Sequence, residues 1–369
     1  MKFLDVSYEE FIQKTKYKKI IQFGASSAWH HYQTVFTDIQ KNVVNNTVVI
    51  VDNDKKKWGT DYYINDKKFV INNPETIKAQ KDIVILITVS LAYQKDICKQ
   101  LCNFELSDDV ECYSLPLMSF SKKECDNSCV DTYFKNRNQK KIPPIIHSFW
   151  FSGDKKPELY ERCMESWHKH CPEFKIIEWN KDNYDVNKNV YMKQAIDAKK
   201  WAFASDFARL DVLLQYGGIY MDMDVELVGS LDKLLYANRF FCRQEDGILE
   251  LGSGFGVQPA DDLIKKMLKT YDNRKLILDN GLIDMTPQPE WLSSILSEQG
   301  IVKNHNSQII EDTIIFSNDY ITCFSGDNFD DTAKIGIHWH NGGWLDKKDR
   351  DLIHDSLSVK QELIEKYFI

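Results

Sequence analysis

The chain has 369 residues, of which 43% are hydrophobic and 28% charged, and its formal net charge is −8. Nucleic-acid-binding proteins normally carry a basic surface, so this balance argues against that class. The length accommodates two domains. The longest apolar run, 83–93, is far shorter than the ~20 residues that cross a bilayer, and the N-terminus lacks the pattern of a secretory signal. We therefore expect a cytoplasmic protein, with peripheral contact at the inner face of the membrane left open.

Nine cysteines are scattered along the chain. An odd number of cysteines without a secretory signal does not indicate a disulfide framework. Cys98 and Cys102, like Cys125 and Cys129, have a spacing that could hold a metal, but no matching His or Cys pair lies at a zinc-finger distance. Structural zinc is therefore not the expected use of these thiols.

The first part of the sequence alternates strand and helix signals. Strands are predicted over 19–23, 47–51, 82–89 and 110–114, and helices over 27–39 and 92–101. Apolar strands that alternate with helices predict a parallel sheet covered on both faces. Gly24-Ala25-Ser26-Ser27 stands where a Rossmann phosphate loop would, and Asp52 ends the second strand, but a full G-x-G-x-x-G is absent. We interpret this part as a structural or docking module, with nucleotide binding as the alternative.

A boundary is predicted near residue 140, where the polar stretch 135–141 is followed by Ile142-Pro143-Pro144. The chain is thus expected to form a Rossmann-like accessory domain over 1–138 and a catalytic domain over 139–369. In the catalytic domain, strands are predicted over 145–151, 174–179 and 219–227, helices over 158–170 and 199–215, and a polar helix at the C-terminus.

Apolar and polar side chains alternate without a break from Ile219 to Leu227. A period of two predicts a strand, on which Asp222 and Asp224 point the same way, about 7 Å apart by the ~3.3 Å rise per residue. Carboxylates so close repel each other unless a cation lies between them. Mn²⁺ or Mg²⁺ suits such a pair together with the oxygens of a diphosphate. The alternative is an exposed polar face of a strand.

The predicted helix before this strand carries Asp206 and Arg209 at i, i+3 spacing. As a surface ion pair they would contribute little to stability. As functional residues, Asp206 would accept hydrogen bonds from sugar hydroxyls, and Arg209 would hold hydroxyls or a phosphate. The spacing alone leaves both interpretations open.

The run AFASDFARLDVLLQYGGIYMDMDVE is similar to the DXD sugar-transferase family. That family includes fungal initiating mannosyltransferases, bacterial capsular-polysaccharide transferases and, more distantly, the clostridial glucosylating toxins. Four further stretches resemble it: KIPPIIHSFWFSG, YERCMESWHKHCPEFKIIEWN, GSGFGVQP and GIHWHNGGW. The resemblance covers roughly residues 142–345 and implies an α/β catalytic domain of the GT-A type. The stretch VDNDKKKWGT resembles small Rossmann-like modules attached to bacterial polysaccharide-biosynthesis proteins.

The resemblance assigns the nucleotide and the donor sugar to residues from two of these stretches. It implies that Trp150 faces the base, and that Ser205, Asp206 and Arg209 contact the ribose and the donor sugar. Asp206 and Arg209 are also expected to be catalytic.

The resemblance assigns the metal to the D-x-D stretch. It implies that Tyr220 and Asp222 support the nucleotide and the water shell of the metal, and that Asp224 binds the metal directly. Asp222 and Asp224 therefore count as both catalytic and metal-binding residues, and the expected ion is Mn²⁺ or Mg²⁺.

The closing motif GIHWHNGGW supplies the remaining expected contacts. It implies that His338 is a further metal ligand and that Trp344 touches the diphosphate. His340 is close enough to compete for the role of ligand. Gly343 stands where the family commonly has a Ser before the final Trp, so a hydroxyl contact to phosphate is lost there or replaced by a backbone N–H.

Together these features predict a hexosyltransferase that uses a nucleoside diphosphate sugar, expected to be a UDP-sugar. The resemblance implies retention of configuration and a glycan or lipid-linked acceptor in the synthesis of a surface polysaccharide such as a capsule. One of three loop carboxylates, Glu245, Asp246 and Asp284, could orient the acceptor hydroxyl or act as a base, the alternative being that they are only solvated. The alternatives are a nucleotide-binding regulatory or scaffold protein with a non-catalytic transferase domain, and a metal-dependent hydrolase.

Overall fold

The computed structural model describes the whole chain except residues 26–36, 65–66, 119–124, 245–246, 280, 285, 287, 302–303, 324–333, 341–358, 361 and 369. The described residues form two compact units. The first contains those within 1–123 and within 347–369, and the second contains those within 124–346. None of the described helices combines the length and the hydropathy needed to span a bilayer.

The first unit contains a seven-stranded sheet in the order β1-β7-β6-β2-β3-β5-β4. Its strands are β1 (Lys2–Leu4), β2 (Lys19–Phe23), β3 (Thr47–Val51), β4 (Asp61–Ile64), β5 (Lys67–Asn72), β6 (Ile83–Ile87) and β7 (Glu111–Ser114). The pairs are parallel except the β4–β5 hairpin. The predicted parallel sheet is therefore present, and the hairpin and β1 are additions to the predicted strands.

Helices cover this sheet, and apolar side chains are buried on both of its faces. The helices are α1 (Tyr8–Thr15), α2 (Thr37–Asn46), α3 (Leu91–Cys102) and α4 (Leu115–Met118). The side chain of Ser7 caps α1 by accepting a hydrogen bond from the Glu10 amide at 3.3 Å. Of the predicted helix 27–39, residues 27–36 lie outside the described part of the chain.

Asp52 is engaged inside the first unit. Its carboxylate accepts hydrogen bonds from the Ala25 amide at 2.9 Å, the Asp54 amide at 2.8 Å and the Lys57 ammonium at 3.0 Å. These contacts fasten the residues after β2 to the end of β3, which accords with a structural use of this carboxylate. Ser26 and Ser27 of the predicted phosphate loop lie outside the described residues.

The second unit contains a mixed seven-stranded sheet, β14-β15-β12-β13-β10-β8-β9, and a three-stranded sheet, β11-β17-β16. The strands of the large sheet are β8 (Ile145–Phe149), β9 (Lys175–Trp179), β10 (Gly218–Tyr220), β12 (Arg239–Cys242), β13 (Phe255–Val257), β14 (Gln308–Ile310) and β15 (Thr313–Phe316). Those of the small sheet are β11 (Val225–Leu227), β16 (Ile321–Cys323) and β17 (Gly336–His338). The helices are α5 (Ser128–Phe134), α6 (Glu158–His170), α7 (Val190–Asp197), α8 (Trp201–Tyr216), α9 (Asp262–Lys269) and α10 (Gln288–Glu298). The predicted α/β class is confirmed.

Two glycines carry the chain from α8 into the centre of the large sheet. Gly217 and Gly218 have φ angles of +61° and +103°, which L-residues with side chains rarely adopt. A Cβ on Gly218 would also lie 2.8 Å from the carbonyl oxygen of Ile145 and 2.9 Å from Nε2 of His147. The glycines therefore permit both the helix end and the close approach of β10 to β8.

The prediction of one continuous strand over 219–227 is wrong. The chain leaves the large sheet after Tyr220, turns, and joins the small sheet at Val225. Met221 and Met223 are still buried, so the apolar alternation survives although the strand does not. Burial of the apolar residues therefore does not distinguish a continuous strand from this turn, and Tyr220 and Asp224 of the polar half are buried as well.

The structure also divides the chain differently from the predicted boundary at residue 139. Helix α5 belongs to the second unit, where Val130 and Tyr133 join the core and the Tyr133 hydroxyl donates to the Asp312 carbonyl at 2.8 Å. The C-terminal residues belong to the first unit, because Leu363 and Phe368 are buried in its core. The polar stretch 135–141 is thus a surface connection inside the second unit.

Candidate active site

Asp222 and Asp224 lie in the turn that joins the two sheets of the second unit, and backbone hydrogen bonds fix this turn. The Asp222 amide donates to the Gly252 carbonyl at 2.9 Å, and the Trp339 amide donates to the Asp224 carbonyl at 3.0 Å. The Val225 amide closes the turn onto the Asp222 carbonyl at 3.1 Å. The two carboxylates are thus positioned by a short turn with three backbone anchors.

His338 is brought to this turn by strand pairing. It is the last residue of β17, which runs antiparallel to β11 with His338 opposite Val225. Its Nε2 atom lies 3.2 Å from Oδ1 of Asp224 and 3.9 Å from Oδ2 of Asp222. Its Nδ1 atom lies 2.9 Å from Oγ of Ser253. The ring therefore presents Nε2 to the carboxylates while Ser253 occupies its other nitrogen.

The three side chains form a cluster suited to a divalent cation. One ligand atom from each of Asp222, Asp224 and His338 lies within 4.8 Å of the others, and no second group of this kind occurs within the described residues. Asp224 and His338 are buried, whereas 36% of the Asp222 side chain is exposed. Carboxylate oxygens and a neutral imidazole are accepted ligands of Mn²⁺, and the exposed side leaves room for ligand oxygens. The predicted metal-binding residues thus come together and fit such an ion.

Asp206, Arg209 and Tyr220 are buried beside this cluster, with exposures of 6%, 7% and 1%. Arg209 pairs with Asp206, and its guanidinium lies over the Tyr220 ring at 5.1 Å. Tyr220 in turn donates its hydroxyl hydrogen bond to Asp222, and burial raises the pKa of the Tyr220 phenol well above its ordinary value. The interpretation of Asp206 and Arg209 as a surface ion pair is therefore wrong.

Arg209 also carries a buried donor that the described protein leaves unused. Its Nε atom has no hydrogen-bond partner among the described residues. Buried polar groups are normally satisfied, so a buried donor without a partner indicates that a ligand or a water binds there. This atom fits the expectation that Arg209 holds a bound group.

Two further predicted contact residues, Trp150 and Ser205, are described by the structure, but their roles are not tested by it. Trp150 follows β8, donates its indole N–H to the Asp154 carbonyl at 2.8 Å and meets the Tyr160 ring edge-on at 5.4 Å. Ser205 donates its hydroxyl to the Ala202 carbonyl at 2.7 Å within α8. Their assignment to the base and the sugar stays a prediction.

The closing motif is described only as far as His340. The rings of His338 and His340 lie 4.0 Å apart, but His338 is the one whose nitrogen joins the two carboxylates. Gly343 and Trp344 lie outside the described residues.

The loop carboxylates do not gain support as acceptor-orienting groups. Asp284 forms an ion pair with Arg274 at 2.6 Å, so its charge is already used. Glu245 and Asp246 lie outside the described residues.

Sequence reasoning missed Glu250, a further carboxylate at the site. Its Oε1 atom accepts the Gly252 amide at 2.7 Å, and loss of hydration raises its pKa, with the charge of Asp222 adding to the effect. A Cβ on Gly252 would lie 2.4 Å from Oδ2 of Asp222 and 2.9 Å from Oε1 of Glu250. The two carboxylates therefore flank Gly252. The signal was a Glu two residues before the glycine-rich stretch GSGFG.

Known proteins with sequences similar to this chain include glycosyltransferases. Residues 157–241 match the family model for the glycosyltransferase sugar-binding region containing the DXD motif. The chain is 22% identical over 231 residues to inositol phosphoceramide mannosyltransferase 1 of Schizosaccharomyces pombe, covering 58% of this chain and 69% of that protein. It is 32% identical over 110 residues to uncharacterized glycosyltransferase L373 of Acanthamoeba polyphaga mimivirus, covering 27% of this chain and 42% of that protein.

The solved structure of PaToxG glycosyltransferase is also similar, with 18% identity, 46% of this chain and 74% of that chain covered, and a TM-score of 0.33. That superposition is too loose to define the arrangement of the site, so the assignment depends on the sequence matches. Residues 157–241 include α6, α8 and the turn with Asp222 and Asp224. Over residues 157–241 the chain therefore matches the glycosyltransferase sugar-binding region that contains the DXD motif.

Proposed function

We propose that this glycosyltransferase moves a hexose from a nucleoside diphosphate sugar to a glycan or lipid-linked acceptor, and that it needs Mn²⁺ or Mg²⁺ to do so. The observation that carries the proposal is the convergence of Asp222, Asp224 and His338 within 4.8 Å. A diphosphate bridged to a protein by a divalent cation needs such an open, oxygen-rich cluster.

Asp222, Asp224 and His338 form the proposed metal-binding site. Asp224 and His338 would hold the ion from the buried side, and Asp222 would reach it from the exposed side. A bound ion supplies Lewis-acid stabilisation of the negative charge that grows on the departing diphosphate. Ser253 would hold Nδ1 of His338, so that the ring would present Nε2 to the ion.

Arg209 is the proposed partner of the donor. Its buried guanidinium is fixed by Asp206 and by the Tyr220 ring, so little motion is needed when a substrate binds. The unused Nε donor would face a phosphate or sugar oxygen. Stabilising charge in a water-poor site contributes strongly to catalysis, because the donors are already oriented.

The donor, acceptor and stereochemistry rest on similarity. A UDP-sugar and retention of configuration are implied by the family resemblance. The names of the yeast relatives, inositol phosphoceramide mannosyltransferases 1 and 2, favour mannose as the hexose and a lipid-linked acceptor. GDP-mannose is therefore the second donor to be tested. Synthesis of a surface polysaccharide such as a capsule is the proposed setting, and peripheral contact with the inner membrane face would give access to a lipid-linked acceptor.

The proposal is tested by nucleotide release from UDP-glucose, UDP-galactose and GDP-mannose, with Mn²⁺, Mg²⁺ or EDTA, and with and without glycan and lipid-linked acceptors. Acceptor-dependent release that EDTA abolishes is expected for one donor. Asp224→Asn should lose this activity, because it removes a ligand charge while keeping the side-chain shape. Equal release in EDTA, or full activity of Asp224→Asn, would rule out the metal site.

The same assay separates the rival functions. A hydrolase would release nucleotide at the same rate without any acceptor. A regulatory or scaffold protein would bind a nucleotide sugar without turnover, and thermal stabilisation by the donor would reveal this binding.

A further inference from the structure

Three side chains next to the candidate metal ligands Asp222, Asp224 and His338 are joined by hydrogen bonds and an ion pair. We call Arg162, Glu226 and Trp339 the Glu226 cluster. The indole N–H of Trp339 donates to Oε2 of Glu226 at 2.9 Å. Nε and Nη2 of Arg162 lie 3.2 Å and 3.1 Å from the same oxygen. The Arg162 guanidinium also lies over the Trp339 ring at 4.8 Å. Each member therefore contacts both of the others.

The position of this cluster in the chain links it to the metal ligands. Glu226 lies two residues after Asp224, and Trp339 immediately follows His338. The Trp339 amide also donates to the Asp224 carbonyl at 3.0 Å. A shift of Trp339 would therefore move His338 and Asp224 relative to each other.

The strand pairing alone is a short connection. β11 and β17 pair over three residues, and His338 occupies the last place in its strand. Strand ends fray easily when few hydrogen bonds hold them. The Glu226 cluster adds a side-chain connection from the paired residue Glu226 to Trp339, which lies just beyond the strand end that carries His338.

Helix α6 anchors the cluster from the other edge of the strand. β11 is the edge strand of the small sheet. Ser166 Oγ accepts the Leu227 amide at 2.8 Å, and the Trp167 indole donates to the Val225 carbonyl at 2.7 Å. Arg162 lies one turn earlier on the same helix. Its contacts with Glu226 therefore connect α6 to Glu226 and, through Glu226, to Trp339.

We infer that Arg162, Glu226 and Trp339 are positioning residues that set the separation of His338 from the two aspartates. This inference rests on the proposed metal site. The cluster is partly exposed, with 51% of the Arg162 side chain and 23% of the Glu226 side chain accessible. Such ion pairs add little to folding stability, so its main effect is on local geometry. Mutation of residues that orient the ligands of a metal site typically lowers the metal affinity by roughly 10–100-fold.

The test measures Mn²⁺ binding by the electron paramagnetic resonance signal of free Mn²⁺, using the full chain and Mn²⁺ alone. Glu226→Gln removes the charge that Arg162 binds, and Trp339→Phe removes the indole N–H but keeps a ring for the guanidinium. Each variant is expected to bind Mn²⁺ about 10-fold more weakly than the parent protein. Melting temperatures in EDTA should stay close to that of the parent.

Glu178→Gln is the matched control. Glu178 forms an ion pair with Lys156 at 2.7 Å. Its side chain is 24% exposed, close to the 23% of Glu226. It lies on β9 at the edge of the large sheet, two strands away from β10. Removing the charge of Glu178 should leave the Mn²⁺ affinity unchanged.

The outcomes separate this inference from the proposed function. If the parent binds Mn²⁺, Asp224→Asn does not, and Glu226→Gln and Trp339→Phe bind as the parent does, the positioning role is overturned and the metal site stands. If the parent itself fails to bind Mn²⁺, both are overturned. A large drop in melting temperature in EDTA for both variants would assign the cluster to folding stability and overturn the positioning role.

Discussion

Nδ1 of His338 lies 2.9 Å from Oγ of Ser253, while Nε2 of the same ring lies 3.2 Å from Asp224. A hydroxyl that accepts the Nδ1 hydrogen keeps Nε2 unprotonated and available as a ligand. In that tautomer, the contact with Ser253 would hold the ring as the proposed metal site requires. It is fully buried, so no solvent competes for this contact.

Ser253→Ala should therefore weaken Mn²⁺ binding by about 10-fold, because the ring loses the partner that fixes its tautomer and its orientation. Isothermal titration calorimetry with Mn²⁺ measures this change directly. An unchanged affinity would show that Ser253 has no part in presenting His338.

Ser148→Ala provides the comparison for that variant. Ser148 is as buried as Ser253, but its hydroxyl has no hydrogen-bond partner among the described residues. Removing an unsatisfied hydroxyl costs little and can stabilise the fold. We expect Mn²⁺ affinity to stay at the parent value in this variant.

Gly252→Ala should inactivate the enzyme while leaving it folded. The new Cβ would lie 2.4 Å from Oδ2 of Asp222 and 2.9 Å from Oε1 of Glu250, closer than real Cβ contacts. The flexible carboxylates would move away, and a displacement of about 1 Å at a reacting centre can reduce the rate about 100-fold. Steady-state kinetics, with the donor that the nucleotide-release assay identifies, measure the rate.

Circular dichroism and thermal melting establish whether this variant folds. The expected pattern is a near-parental melting temperature with a large loss of kcat. A variant with full activity would mean that the Asp222 carboxylate is not needed where the structure places it.

The sequence predicted the side chains of the site better than the path of the backbone between them. The alternation from Ile219 to Leu227 correctly predicted burial of Met221 and Met223, and the D-x-D spacing brought Asp222 and Asp224 together. The break between β10 and β11 left no trace in that pattern, because the turn keeps the same apolar side chains buried. Asp222 is partly exposed while Asp224, on the same side of the alternation, is buried, and the pattern does not distinguish the two.

Residues distant in sequence were harder to predict. The resemblance named His338 but gave no reason to pair it with Ser253, which lies on another part of the chain. The Glu226 cluster combines side chains from α6, β11 and the residue after β17, and such long-range side-chain contacts leave no periodic signal. The C-terminal residues that complete the first unit were missed because the sequence shows a polar helix without showing what it packs on.

His147 should make the second unit sensitive to acid. The imidazole is fully buried, with Nε2 2.9 Å from the Gly217 carbonyl and Nδ1 3.0 Å from the Trp179 indole nitrogen. Burial lowers the pKa of His147 from 6.5 to about 4. The unfolded chain therefore binds the proton more readily, so the stability contribution is complete above pH 6.5 and is lost as the pH falls towards 4.

The expected loss over that window is about 3 kcal/mol, at 1.36 kcal/mol per pKa unit. Urea unfolding of the parent and of His147→Gln at several pH values between 4 and 7 measures it. The variant is expected to be less stable at neutral pH and to show a flatter pH dependence. Parallel curves for the two proteins would contradict a neutral, buried His147.

Cys98 and Cys102 should differ sharply in their reaction with a thiol reagent, although both lie on α3 four residues apart. Cys98 is fully buried, and burial raises its pKa to about 12, whereas Cys102 is exposed. The thiolate is the reactive form, so access and pKa both protect Cys98. Iodoacetamide at neutral pH, followed by peptide mass spectrometry, should label Cys102 and leave Cys98 unmodified until urea is added. If both thiols are protected and a chelator makes them reactive, the pair holds a metal. Equal labelling of both thiols without urea would show that α3 opens readily.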